Sequence, residues 1–354
     1  MSINPSKAGY LMPAEWAPHD ATWLSWPKDP ETFPKTILVN VEAACAQMVE
    51  AISWGETAKI FVNDSKTRLR VEKLLENGGS NMQNVQFKMI KSTDVWVRDY
   101  APTFLINPAT KKKGAVKWIF NSWGNKYPGL LQDNLAGMEI AQDSGAEIFQ
   151  PTIVLEGGSI DANGNGTLLT TEQCLLNKNR NPKLNKLQLE SILSENLSIN
   201  NILWLKEGIE GDDTDGHIDD IARFVSKKNI LCAYSDKIDA DGLTLRENYK
   251  ILKSHSQFEI EKLPMPKPLI DPIEKRKLPA SYANFYIANK AVLLPVFDDP
   301  ADKAAISILE GFFPKREVVP IRCNELVYGY GSIHCVTQQE PSATGKLVSP
   351  ATRL

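Results

Sequence analysis

The sequence is short of most features that assign a protein to a class quickly. No apolar run approaches the roughly 18 residues that a bilayer-crossing helix needs, so no membrane span is expected. Cysteine is sparse: Cys45, Cys174, Cys232, Cys323 and Cys335 make an odd set of five without a C-x-x-C pair. That argues against a disulfide scaffold or a cysteine-rich zinc module, and for free thiols in a reducing compartment. Neither sign of charge is in excess. Forty Lys and Arg face 43 Asp and Glu for a net charge of −3, and the one basic run, Lys111–Lys113, reads as a solvated turn. Nucleic acid is therefore not an expected partner. The first sixteen residues, MSINPSKAGYLMPAEW, lack the apolar stretch of a secretory leader, so the cytoplasm is the expected location.

What is present is an ordinary globular composition over 354 residues, 42% hydrophobic and 23% charged. Low-complexity segments, long linkers and fixed-period repeats are missing, and we expect one domain over 1–354. The Pro-rich stretch Lys262–Pro279 reads as a surface excursion rather than a boundary. Ile37, Val41, Ala44, Met48 and Ile52 recur at three- and four-residue steps and predict an amphipathic helix within Glu31–Trp54. Further helices are expected over Ser65–Glu76, Asn134–Asp143, Lys183–Glu195, Thr244–Ser256 and Asp302–Phe313. Strand-like runs lie between them, among them ATWLSW, AKIFVN, VQFKMI, PTFLIN, AVKWIFNSW, NILWL and REVVPI. SIDANGNGTLLTT, IARFVSKKNILCAY and NFYIANKAVLLPVF read as hairpins. Two or three strands per helix do not fit a simple doubly wound sheet. They fit an α/β or α+β fold made of several small mixed sheets.

Four islands place charged or nucleophilic residues among glycines and aromatics: Ser92–Phe104, Leu155–Gly166, Gly211–Phe224 and Gly329–Pro341. In the third, five aspartates (Asp212, Asp213, Asp215, Asp219, Asp220) surround His217 ahead of an apolar run. Asp212 and Asp213 read equally well as a solvated turn. His217 and Asp219, two residues apart in a strand, would share a face as an acid/base pair or a clamp. The glycine and distal glutamate of a calcium loop are missing. In the first island Asp94 and Asp99 flank Val-Trp-Val-Arg, where Arg98 could simply pair with a carboxylate. In the second, Glu156 precedes two glycines, either as a functional carboxylate or as an exposed turn residue.

Among the cysteines, Cys45 is expected in a helix, Cys174 and Cys232 in apolar strands, and Cys323 in the core. Cys335 alone sits among glycines and polar neighbours. His334 beside it would face the other way, which leaves His217 as its better partner; His19 and His255 have no supporting context. Zinc needs three or four grouped ligands, so no metal site is expected. A Cys-His pair is a nucleophile with its proton carrier. The added carboxylates would hinder attack on a neutral amide but suit a cation, and the planar guanidinium is one that two carboxylates can grip.

The motifs MPAEWAPHDATWLSWP, DVWVRDYAPTF, LEGGSIDANGNGTLLTTEQCLLNKNRNP, DGHIDD and GYGSIHCVTQQEP occur here in one order between Leu11 and Pro341. They resemble the agmatine deiminase/bacterial peptidylarginine deiminase family of guanidine-modifying enzymes. The resemblance implies a pentein α/β propeller, five ββαβ units around a pseudo-fivefold axis with the active site in the central channel. It also implies hydrolysis of a small guanidine, agmatine, to N-carbamoylputrescine and ammonia through a covalent amidino-cysteine. Cys335 would be the nucleophile, His217 the acid/base and Glu156 its orienting carboxylate. Asp99 and Asp219 would clamp the guanidinium, Asp94 would line the same pocket, and Gly331 would let the backbone close on the substrate. The family pattern TNGHVDD is TDGHIDD here, so Asp215 adds a charge that could reach the substrate's tail. Asp94, Asp212, Asp213 and Asp215 together suggest an acidic entrance. Peptidyl-arginine or free arginine as substrate, an amidinotransferase-like reaction and a non-catalytic guanidine-binding protein remain alternatives, and assembly into homo-oligomers is compatible with the sequence.

Overall fold

The computed structural model describes residues 4–345. All six predicted helices are present, as Lys35–Ser53, Ser65–Asn77, Asp133–Asp143, Lys186–Leu197, Ala240–Lys253 and Asp302–Phe312. Local chemistry starts several of them. The Asp64 side chain accepts from the Thr67 amide, Asn185 and Gln188 form a reciprocal capping box, and Asp239 accepts from the Gly242 amide. The first helix buries Val41, Ala44, Cys45, Met48, Val49 and Ile52, the face expected from its periodicity.

One pattern organises the strands. An antiparallel hairpin is followed by a helix, which returns the chain to a third strand parallel to the second. Thr103–Asn107 and Lys112–Val116 pair antiparallel, and Glu147–Phe149 adds parallel after helix Asp133–Asp143. The same order recurs in Asp161–Ala162, Thr167–Thr171 and Asn201–Leu205; in Ala222–Phe224, Asn229–Ala233 and Glu259–Leu263; and in Tyr286–Ile287, Ala291–Val296 and Glu317–Arg322. A four-stranded sheet is assembled from both ends of the chain. Gln338–Pro341 pairs antiparallel with His19–Ser25, and Thr57–Phe61 and then Val85–Lys88 add in parallel. Such parallel returns need a crossover, which the helices provide. The middle strands are covered on both faces, which explains continuous apolar runs such as Ala291–Leu294, whose residues are at most 3% exposed. The result is a mixed α/β protein of several small sheets.

Lys262–Pro279 does carry extra structure, a two-stranded hairpin of Leu269–Ile270 and Lys277–Leu278. Three local expectations are corrected. The strand within AVKWIFNSW ends at Val116, and Ser122, Trp123 and Asn125 adopt left-handed backbone angles (φ 56°, 51° and 62°) in a turn. Cys174 lies in the short helix Glu172–Leu175, not in a strand. His217 precedes a 3-10 turn, Ile218–Asp220, so the strand alternation expected to align it with Asp219 does not exist. No helix among the described residues is long and apolar enough to cross a membrane.

Candidate active site

The segment leading into each of these four hairpins, and the one leading into Gln338–Pro341, brings one polar residue toward a common point. Asp99 precedes Thr103, Glu156 precedes Asp161, Asp219 precedes Ala222, Asn284 precedes Tyr286 and Cys335 precedes Gln338. Asp99 lies on a single helical turn, Val97–Tyr100, while Glu156 and His217 stand immediately before 3-10 turns. Gly158 is the pivot. A Cβ there would lie 2.5 Å from His217 Nδ1, 2.9 Å from Asp99 Oδ1 and 3.0 Å from Asp219 Oδ2. Only glycine lets three charged side chains approach so closely, and its amide donates to Asp99 Oδ1 at 3.0 Å.

His217 is 1% exposed. Its Nδ1 lies 3.7 Å from Asp99 Oδ1 and its Nε2 3.9 Å from Glu156 Oε2. Glu156 is held by Arg180, whose Nε donates to Oε1 at 2.7 Å. Trp123, from the left-handed turn, donates its indole N–H to Asp99 Oδ2 at 2.9 Å. Asn284 Nδ2 donates to Cys335 Sγ at 3.2 Å, and Asp219 Oδ2 lies 3.7 Å from the same sulfur. His334 does turn away from the cleft. Its Nδ1 meets Asp219 Oδ2 at 2.7 Å and its Nε2 meets Glu15 Oε2 at 2.8 Å, and Glu15 is in turn paired with Arg223 at 2.9 Å. Arg98, rather than pairing with Asp94 or Asp99, reaches back to Gln339 at 2.7 Å and Glu15 at 3.5 Å.

Cys335, Asp99, Asp94, Trp96, Trp123 and Gly331 line a cavity of about 430 Å³. Asp94 is fully buried and accepts from Thr32 Oγ1 at 2.6 Å and from Trp96 Nε1 at 2.8 Å. Gly331 does not have a left-handed backbone. It is needed because the Trp96 ring packs where its Cβ would be.

Several polar atoms in this cluster, His217 Nδ1 and Nε2, Glu156 Oε2 and Asp219 Oδ1, are buried without a hydrogen-bond partner. That is costly unless a ligand completes them. Burial pushes Asp99 up to about 6, against the pull of His217 and with help from Asp219 and Glu156. Burial does the same for Asp94, which also reaches about 6 while Thr32 pulls it the other way. Burial opposes the imidazolium of His217, yet Asp99, with Cys174 and Glu156, carries its pKa well above the usual value. Burial also opposes the Asp219 carboxylate, but His334 holds it below the usual range. The Cys335 thiol is pushed well above 9, first by burial and then by Asp219, Asp220 and Asp99. The cleft thus holds more negative charge than its own cations balance, which is the condition for binding a small planar cation.

Not every predicted residue faces this cavity. The Asp215 carboxylate is engaged by Lys126 Nζ at 2.7 Å, Arg180 Nη1 at 2.6 Å and Asn179 Nδ2 at 2.9 Å, and it is not among the cavity-lining groups. Asp212 accepts from the amides of Thr214, Gly216 and His217, which fixes the turn that aims the imidazole. Asp213 does line the cavity but is paired with Arg276 at 2.7 Å. Asp213 and Asp215 are therefore paired, and the acidity of the lining rests on other carboxylates: Asp29, Glu31, Asp94, Asp99, Asp271 and Glu274 line the cavity beside Lys126. Sequence reasoning missed Trp123, Arg180, Asn284 and the contact of Cys174 with His217. Asn284 had a findable signal, since it precedes a predicted hairpin as the other islands do. Glu156, Cys174 and His217 offer ligand atoms all within 4.8 Å of one another, so His217 has a grouped thiol in Cys174 that the linear sequence did not reveal.

A thiol, an imidazole and buried carboxylates drawn from successive sheets of a mixed α/β scaffold thus meet in one cleft. A family model described as Porphyromonas-type peptidyl-arginine deiminase matches residues 11–341, and the chain belongs to that family. It is 36% identical over 368 residues to the agmatine deiminase of Pseudomonas fluorescens (strain SBW25), covering 96% of this chain and 97% of that protein. The structure of the agmatine deiminase of Enterococcus faecalis superimposes with a TM-score of 0.88 at 30% identity, over 97% of this chain and 99% of that one. The agmatine deiminase of C. jejuni, in a form solved with substrate bound, superimposes with a TM-score of 0.83 at 30% identity, over 94% of this chain and 96% of that one.

Proposed function

We propose that the protein hydrolyses agmatine to N-carbamoylputrescine and ammonia through an amidino adduct on Cys335. The observation that carries this reading is a Cys335 thiol that lines the cavity together with Asp99, has Asp219 Oδ2 at 3.7 Å, and stands in one cluster with the His217–Glu156 pair beside Asp99. The full-length likeness to proteins named agmatine deiminase supports the choice of guanidine. Asp99 and Asp219 clamp the guanidinium, Glu156 and Arg180 keep His217 oriented, and Asn284 holds the sulfur. Gly331 keeps the wall open, and Asp94 takes the ammonium of the tail. Asp215 acts through Arg180 and Lys126 rather than by touching substrate.

Binding of the cation offsets the carboxylates that hold the Cys335 thiol protonated, so the substrate itself favours the thiolate. The thiol gives up its proton to solvent, where the departing ammonia takes it up, the thiolate attacks the guanidinium carbon, and the C–N bond to one terminal nitrogen breaks. His217 gives that nitrogen a proton and it leaves as ammonia. The resulting S-alkylthiouronium is attacked by water, which gives its proton to His217. The C–S bond then breaks and returns the thiol with the carbamoyl product. Every step uses side chains of this chain, and metal is not required.

We also read the four hairpin–helix–strand units and the sheet assembled from both ends of the chain as one domain in a pseudo-fivefold propeller, supported by the way the segment entering each contributes a cleft residue. A small-molecule substrate, a cytoplasmic location and no nucleic-acid or membrane partner complete the reading. Steady-state ammonia release from agmatine, free arginine and peptidyl-arginine tests it. Agmatine should lead by about a hundredfold or more in kcat/KM, because buried carboxylates such as Asp94 repel an α-carboxylate. Equal rates on free arginine would overturn the assignment.

A further inference from the structure

The floor and the mouth of the cavity differ in construction. Asp94, Trp96, Asp99 and Cys335 on the floor are at most 5% exposed, whereas at the mouth Tyr127 is 37% exposed. The Arg276 and Asp213 side chains there are 34% and 25% exposed. Four loops meet at this mouth. Asp213 accepts from the Tyr127 hydroxyl and pairs with Arg276 Nη2 at 2.7 Å. The Arg276 guanidinium lies over the Tyr330 ring, 3.7 Å from its centroid. The Tyr330 hydroxyl donates to Glu274 Oε2 at 3.1 Å. Tyr330 has φ +68°, a left-handed conformation that suits glycine, as at many tight turns, and costs a bulky aromatic residue roughly 1 kcal/mol or more. Its neighbours in the motif, Gly329 and Gly331, are glycines without left-handed angles. A tyrosine is thus kept at the one position of this loop that demands glycine-like geometry, and a stacked arginine and a carboxylate hold its ring over the cavity.

We propose that the Tyr330–Arg276 stack, anchored by Asp213 and Glu274, roofs the mouth and restricts the enzyme to free guanidino compounds, excluding arginine within a peptide. A linear alkyl tail can lie inside a cavity of about 430 Å³. A peptide must instead leave the mouth in two directions from one Cα. That path displaces Arg276 from between Asp213 and Tyr330 and leaves a paired charge without its partner. The inference rests on the deiminase reading above.

The test compares agmatine with acetyl-arginine amide and an acetylated, amidated Gly-Arg-Gly peptide on wild type, Tyr330→Gly and Arg276→Ala. Glycine accepts the +68° angle without strain, which offsets the lost stack and hydrogen bond, so Tyr330→Gly should remain folded, as its melting curve checks. Its kcat/KM ratio, peptide over agmatine, should rise about tenfold or more, with a smaller rise for Arg276→Ala. Ratios within about twofold of wild type in both folded variants, or a wild type that already accepts the peptide as well as agmatine, would overturn the roof and leave the deiminase reading standing. A wild type that releases ammonia from none of these compounds would overturn both.

Discussion

Neutralising Asp219, the proposed clamp, should make the Cys335 thiol more reactive toward a neutral reagent while it destroys catalysis. Asp219 Oδ2 lies 3.7 Å from Cys335 Sγ, and the thiol is held well above 9 by burial and then by this carboxylate. Two unit charges that far apart interact by roughly 4–5 kcal/mol at an effective dielectric of about 20. His334, 2.7 Å from the same oxygen, offsets much of that field. A net effect of about 1–2 kcal/mol on the thiolate is reasonable, or roughly one pKa unit. Asp219→Asn keeps an acceptor for His334 and removes the charge. The sign follows: a nearby negative charge disfavours the thiolate, so its loss lowers the thiol pKa. At pH 7, well below that pKa, the thiolate fraction rises about tenfold. A less basic thiolate is intrinsically less nucleophilic, which cuts the net gain to roughly threefold. The assay is the rate of iodoacetamide alkylation in the absence of substrate, with the site confirmed by peptide mass. Cys335 is the thiol on the cavity, while Cys174, Cys232 and Cys323 are 0% exposed and Cys45 is 3% exposed. kcat/KM for agmatine should fall at the same time, because the guanidinium loses a clamp. Alkylation of Asp219→Asn at or below the wild-type rate would refute the electrostatic account of this thiol.

His217→Asn should slow turnover by about 10²–10⁴-fold, and acid-quenched mixtures should show an amidino mass on Cys335; a mass on Cys174 or Cys323 would refute the nucleophile assignment. Gly158→Ala places a methyl 2.5 Å from His217 Nδ1 and 2.9 Å from Asp99 Oδ1. Displacing either group by about 1 Å should cost about a hundredfold in kcat, and wild-type rates would show that the cleft is looser than described. Asp215→Asn takes a charged partner from Arg180, whose side chain is fully buried, so stability to urea should fall by about 1–3 kcal/mol. The agmatine-to-arginine ratio should stay put in that variant, and a large change in the ratio would mean that Asp215 does reach the tail.

The sequence by itself determined the local elements and the chemical vocabulary. Periodicity located the helices because an amphipathic face repeats every three to four residues whatever it packs against. Asn-Gly pairs marked the hairpin at Ala162–Thr167 because that turn chemistry is local. Cys335 and His217 were legible because each was the one residue of its type in a glycine- or aspartate-rich setting. What the linear order could not contain is which groups pair across the chain. Arg98 looks committed to Asp94 or Asp99 but turns to Glu15 and Gln339, 83 and 241 residues away. Asp215 reads as an entrance charge, but Arg180 and Lys126 cancel it, and Asp213 is cancelled by Arg276. His217 and Asp219 come together through a 3-10 turn opposite Gly158, not through the strand that alternation suggested. Cys174 and Trp123, each lying beyond the second strand of its hairpin, reach His217 and Asp99 because the segments around the sheets converge on one shared cleft. Charge balance in that cleft is a sum over five distant segments, and only the tertiary structure performs it.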